Sequence, residues 1–79
     1  MPYNKPLFEW LDGPDGMELQ ELAKTVDVAL GTVRKWLYCE RTPELGHAVH
    51  IELLSKGKVQ PHDFVDAHRL AKGLRPWFK

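Results

Sequence analysis

The stretch Leu19-Gln20-Glu21-Leu22-Ala23-Lys24-Thr25-Val26-Asp27-Val28-Ala29-Leu30-Gly31-Thr32-Val33-Arg34-Lys35-Trp36-Leu37 decides how this chain folds. Leu19, Leu22, Ala23 and Val26 recur at i, i+3, i+4 and i+7, which lays one apolar stripe along a helix. Val33, Trp36 and Leu37 begin the same pattern on a second helix. Asp27-Val28 falls in the turn between them, with Val28 placed as an apolar plug. Ala23 is small where the two helices must come close. An ordinary helical hairpin seldom meets all these demands in so short a span. The pattern predicts a helix-turn-helix over about residues 17–39.

Two positions depart from the usual chemistry of such a turn. Asp27 stands where Gly is common, because the backbone there tends to need a positive φ. Asp enters the left-handed region more readily than most residues, so the turn is strained but allowed. Ala29 stands where Ser or Thr is expected to cap the second helix, and Ala has no side-chain acceptor for the free amides. That helix is therefore expected either to begin slightly earlier, capped by Asp27, or to fray at its start.

Seventy-nine residues make one small domain near the lower limit for a self-sufficient core. Three Trp and three Phe supply large apolar anchors. The single cysteine, Cys39, excludes an internal disulfide framework and suits a reducing compartment. No uninterrupted apolar run reaches the ~18 residues of a membrane span. The N-terminus lacks the basic-then-apolar layout of a secretion signal. A soluble intracellular protein with no membrane partner is expected.

Eleven basic and eleven acidic side chains cancel. Net neutrality counts mildly against nucleic-acid binding, but the charges are unevenly placed. Six acids (Glu9, Asp12, Asp15, Glu18, Glu21, Asp27) stand against Lys5 and Lys24 in the first 27 residues. From Val28 onward nine bases face five acids, and the tail from Arg69 holds Arg69, Lys72, Arg75 and Lys79 without an acid. One basic and one acidic face are expected, an arrangement that orients a protein on a polyanion.

Outside the central motif the chain reads as further helices. Asn4 caps a first helix with Pro6 in its opening turn and Leu7, Phe8, Trp10 and Leu11 as apolar contacts. Gly13-Pro14-Asp15-Gly16 stops it. The second helix is expected from Asp15 or Met17 to Val26, and the third from Ala29 to Cys39. Thr42 and Pro43 suit the cap and first position of a fourth helix, with Glu44 favouring its positive end. It carries Leu45, Ala48, Val49, Ile51, Glu52 and Leu53 and stops at Lys56-Gly57. Lys58-Val59-Gln60 is too short for more than a turn or one short strand. Pro61 opens a last helical pattern (Phe64, Val65, His68, then Leu70 or Ala71) ending at Gly73. Trp77-Phe78, in the tail 74–79, suit a dimer interface and equally a cap over a small core. The fold class is all-α, four or five helices.

With Val33 at the centre of the buried face of the third helix, about 100° per residue turns Gly31, Arg34, Lys35 and Tyr38 outward. Leu30 sits on the border. A recognition helix in a DNA major groove presents such a set, its N-terminal half nearest the bases. Arg34 is the candidate base reader, since a guanidinium bonds bidentately to guanine O6 and N7. Lys35 reaches a guanine or a neighbouring phosphate, and Leu30 a thymine methyl. Gly31 offers no side chain and allows close backbone approach. Lys24, Arg41 and Thr42 flank the motif where phosphate contacts are common, and these fix register rather than sequence. Each assignment has a plainer counterpart: Arg34 and Lys35 as a solvated face, Leu30 as peripheral core.

On Leu22-Ala23, Val28, Thr32-Val33, Trp36-Leu37 and Arg41, the segment resembles the Cro/CI-type phage repressors, and most of all the small Cro-like and YdaS-type regulators. The likeness continues through Pro43 to Ile51-Glu52 and then Gly57-Lys58-Val59-Gln60-Pro61-His62-Asp63-Phe64, covering about residues 7–66. It implies a lambda repressor-like helical domain that binds a palindromic operator in double-stranded DNA as a homodimer, in the cytoplasm of a bacterial host, with no cofactor. It also implies base contacts at Leu30, Gly31, Arg34 and Lys35, though family members are often polar at the first two. The family's Gly-Lys-Arg turn reads here as Cys39-Glu40-Arg41, with an acid near the phosphates. Some members end in helices and others in a β-hairpin. The pattern after Pro61 favours helices.

Other chemistry is thin. His47 and His50 with Cys39, His62 and His68 lack the paired spacing of a metal site. His62-Asp63 has no accompanying nucleophile or second carboxylate, and Asp63 suits helix capping. No enzyme is expected. The rival from another class is an antitoxin-like or adaptor module that keeps this fold and binds a protein through the acidic N-terminal face.

Overall fold

Asn4 starts the first helix of the computed structural model, which describes residues 3–75. Its Oδ1 accepts the Leu7 amide at 3.2 Å, and Pro6 takes a first-turn position where a missing N–H costs nothing. Helix α1 runs Lys5–Asp12 and buries Leu7 and Trp10. Phe8 does not join them. It lies exposed and meets Tyr3 edge-on at 5.3 Å between ring centroids, because Leu7 and Trp10 already set the inward face one residue away. Asn4 is itself fully buried, and its amide donates to the Leu37 carbonyl at 2.7 Å. That bond fastens the start of α1 to the end of the third helix.

The turn after α1 works by close approach. An ideal Cβ on Gly16 would stand 2.1 Å from the Trp10 carbonyl oxygen and 2.5 Å from that of Leu11. Seated against those carbonyls, the chain stays non-helical through Glu18, so α2 spans Leu19–Val26 rather than beginning at Asp15 or Met17. Gly16→Ala must push backbone aside, and is expected to cost about 1–3 kcal/mol in urea denaturation. A change within error would show that the turn relaxes freely.

The remaining helices are α3 (Leu30–Leu37), α4 (Leu45–Leu54) and α5 (Pro61–Ala71). The fold is all-α, and no strand occurs among the described residues. Lys58-Val59-Gln60 forms a turn in which Val59 is fully buried and the Ser55 hydroxyl accepts its amide at 3.0 Å. Lys58 meets Asp15 at 3.4 Å and so ties this turn to the one after α1.

Two further helix ends differ from expectation. Helix α3 stops at Leu37 instead of Cys39, because Cys39 turns left-handed with φ 64°. Thr42 and Pro43 precede α4 without capping it: the chain stays extended through Glu44, and the Ala48 amide bonds to the Glu44 carbonyl at 3.0 Å. Proline disfavours the helical region for the residue before it, which keeps Thr42 out of the helix. Within the fourth and fifth helices, only Ala48, Ile51 and Phe64 are buried, leaving Leu45, Val49, Leu53, Val65 and Leu70 exposed. Asp63 does cap α5, its Oδ2 accepting the Gln60 amide at 2.8 Å.

The core joins Leu7 and Trp10 to Leu22, Ala23 and Val26 of α2, Val33, Trp36 and Leu37 of α3, and Ile51, Val59 and Phe64 beyond. No described helix is long and apolar enough to cross a membrane. Trp77-Phe78 lie outside the described residues.

Candidate nucleic-acid interface

Helix α2 ends because Asp27 adopts φ 61°, ψ 51° and its amide returns to the Lys24 carbonyl at 3.2 Å. Val28 follows, its amide bonded to the Ala23 carbonyl at 2.9 Å and its side chain packed against the core. The turn and its plug are as the sequence predicts. Ala29 then stands at the N-cap of α3 with no side-chain acceptor, so Asp27 closes α2 and does not start α3. A left-handed L-residue costs about 1–2 kcal/mol, less for Asp. Asp27→Gly is therefore expected to raise stability by up to about 1 kcal/mol, several degrees in Tm for a domain this size. An unchanged or lowered Tm would show that the Asp side chain itself supports the turn.

The two faces of α3 separate cleanly. Val33, Trp36 and Leu37 are buried, while Gly31, Arg34, Lys35 and Tyr38 are exposed and Leu30 is half-buried. Space is open around Gly31, with nothing within 4 Å of where a Cβ would stand. Neither Arg34 nor Lys35 forms an ion pair or side-chain hydrogen bond with a described residue, and both cations face solvent.

The cationic side continues past the end of α3. The Glu40 and Arg41 amides both donate to the Lys35 carbonyl, at 2.8 and 3.3 Å, which curls the loop back against the last helical turn. Cys39 is buried at the bend, and burial pushes its thiol pKa up, so the neutral form is favoured. The Cys39 carbonyl lies 3.0 Å from His68 Nδ1, a bond that fixes α5 beside the loop. Glu40, Arg41, Thr42, His68 and Lys72 then line a polar cleft of about 380 Å³.

Of the sequence-derived candidates, Leu30, Gly31, Arg34, Lys35 and Tyr38 belong to α3 or its last turn, and Arg41 and Thr42 enter the adjoining cleft. Lys24 is exposed on α2, and no hydrogen bond or ion pair joins it to the others. His68 and Lys72 join Arg41 in the cleft, though neither was among the candidate DNA contacts. The sequence shows Lys72 in the run of bases from Arg69 onward and His68 in the helical pattern after Pro61, and neither says that α5 folds back onto the α3–α4 loop. Glu40 lies in the same cleft and offsets part of its positive charge.

Other constellations are spread out. Among the described residues no three of His, Cys, Asp and Glu converge as a metal-binding group. His47 packs against the Trp36 ring, centroids 5.7 Å apart, and His62 Nε2 stands 3.4 Å from the capping Asp63. No family model, curated protein or solved structure matches this chain.

Proposed function

We propose that this protein is a sequence-specific DNA-binding regulator of the Cro-like type, acting as a homodimer on a palindromic operator in a bacterial cytoplasm and blocking a promoter there. The observation that carries this reading is α3 itself. Its apolar side is clamped by α2 through the Asp27 turn, while Arg34 and Lys35 project from the opposite side with no ion pair to a described residue.

In this reading Arg34 reads guanine from the major groove, and Lys35 contacts a base edge or phosphate beside it. Tyr38, Arg41 and Thr42 follow the backbone as it leaves the groove, with Lys72 and His68 behind them. Leu30 packs on a thymine methyl, and Gly31 lets the first turn of α3 sit close. Lys24 approaches a phosphate from α2. Phosphate contacts set the register, and Arg34 supplies most of the discrimination.

The test is selection of bound duplexes from a random pool, followed by fluorescence anisotropy on the recovered sites. The selected sites are expected to be two-fold symmetric, with half-sites about 34 Å apart along the duplex. Affinity is expected to fall steeply with salt, as phosphate neutralisation releases counterions. Should no duplex bind even at low salt, the fold serves a protein partner through its acidic N-terminal half instead.

A further inference from the structure

The last four carbonyls of a helix have no partner inside it, and a buried one must find a donor elsewhere. In α3 they belong to Arg34, Lys35, Trp36 and Leu37. The loop that follows serves three of them. Tyr38 donates to Arg34 at 2.9 Å, Glu40 and Arg41 to Lys35, and Cys39 to Trp36 at 3.3 Å. The Leu37 carbonyl takes its donor from across the fold: the Asn4 main-chain N–H, at 2.7 Å the shortest bond of the set.

Asn4 is a firm place from which to hold α3. It is fully buried, its Oδ1 caps α1 through the Leu7 amide, and Leu7 and Trp10 seat that helix in the core. Leu37 is 4% exposed, so a carbonyl released there has little water to turn to. The last turn of α3 would have to shift to satisfy it. That turn carries Arg34 and Lys35, with Tyr38 directly behind.

We propose that Asn4 is a positioning residue for base reading, a role that rests on α3 being the recognition helix. Without touching DNA, its main-chain N–H sets where the outward side of α3 stands. A bidentate contact from Arg34 survives only within the roughly half an ångström that hydrogen-bond geometry allows. Phosphate contacts from long exposed side chains follow a small shift. Loosening the end of α3 therefore costs discrimination before it costs affinity for DNA at large.

The test separates the two bonds of Asn4 in the full chain. Asn4→Ala removes the side-chain acceptor of α1 and keeps the main-chain donor to Leu37. Asn4→Pro removes both, and its ring suits the φ of −78° found there. Asn4→Ser keeps both, and since Asn4 Nδ2 donates to no described residue, nothing that either helix end uses is lost. Binding is compared at a temperature where circular dichroism shows every variant folded. Affinity for selected duplexes is expected to be about tenfold lower for Asn4→Pro than for Asn4→Ala, with random-duplex affinity alike within about twofold. Asn4→Ser is expected to match the wild type. From Asn4→Ala to Asn4→Pro, hydrogen exchange should quicken about tenfold at the Tyr38, Glu40 and Arg41 amides and stay level at Leu22 and Val26 of α2.

Equal behaviour of Asn4→Ala and Asn4→Pro overturns the proposal. So does exchange that quickens alike in every helix, or a loosened α3 end with discrimination intact. If Asn4→Pro does not fold, native-state exchange of the wild type decides. The Asn4 amide should open together with those of Tyr38 and Glu40, and one that exchanges about a hundredfold faster overturns the proposal. A wild type that binds no duplex ends the operator reading by itself, and the exchange comparison still decides whether Asn4 closes α3.

Discussion

Trp36→Ala is expected to remove about 3–5 kcal/mol of stability, the range for deleting a buried large aromatic side chain. Trp36 is 4% exposed and joins three helices. It rises from α3, faces the His47 ring of α4 at 5.7 Å and meets Phe64 of α5 edge-on at 6.5 Å. Trp36 thus ties both α4 and α5 to α3. A domain of this length holds about 4–12 kcal/mol in all, so the variant is expected to be largely unfolded or close to it. Urea denaturation followed by circular dichroism reads the loss. Trp36→Phe should cost markedly less, since it keeps an aromatic ring against Phe64 and His47. If Trp36→Ala melts within a few degrees of the wild type, the core is not organised around α3 and the account of how α3 is presented fails with it.

The motif that positions the candidate interface was legible because its constraints are local. Leu22, Ala23, Val26, Val33, Trp36 and Leu37 all become buried, and Asp27 takes the left-handed turn that its place between two stripes demands. Asn4 was legible as a cap for the same reason, its bond to Leu7 spanning three residues. What sequence could not show were contacts made across the fold. The late start of α2 follows from Gly16 lying against carbonyls of α1, a packing constraint and not a turn propensity. The early end of α3 follows from a left-handed Cys39, and nothing in a cysteine announces that conformation. The reach of His68 to the Cys39 carbonyl links residues 29 apart in sequence. It helps to bring Lys72 of the base-rich tail into the cleft beside α3. Val59 reads as part of a short turn yet is fully buried, because Ser55 satisfies its amide and frees the side chain to enter the core.

Replacing both Arg34 and Lys35 by Ala is expected to weaken binding to a selected operator duplex by about 2–4 kcal/mol, roughly 30- to 1,000-fold. The two losses differ in kind. Arg34 can make a bidentate contact with guanine, so Arg34→Ala alone should relax the preference at one base pair of each half-site while leaving affinity for random duplex nearly as it was. Lys35→Ala should lower affinity for specific and random duplexes alike if Lys35 contacts a phosphate, and should flatten the salt dependence by about one unit of slope per protomer. Stability should hold in both variants, because both side chains are exposed and neither pairs with a described residue. That separation matters: reduced binding by a variant with an unchanged Tm cannot be ascribed to unfolding. A double variant that binds the selected duplex as tightly as the wild type would mean that the outward side of α3 is not the reading surface, whatever the fold resembles.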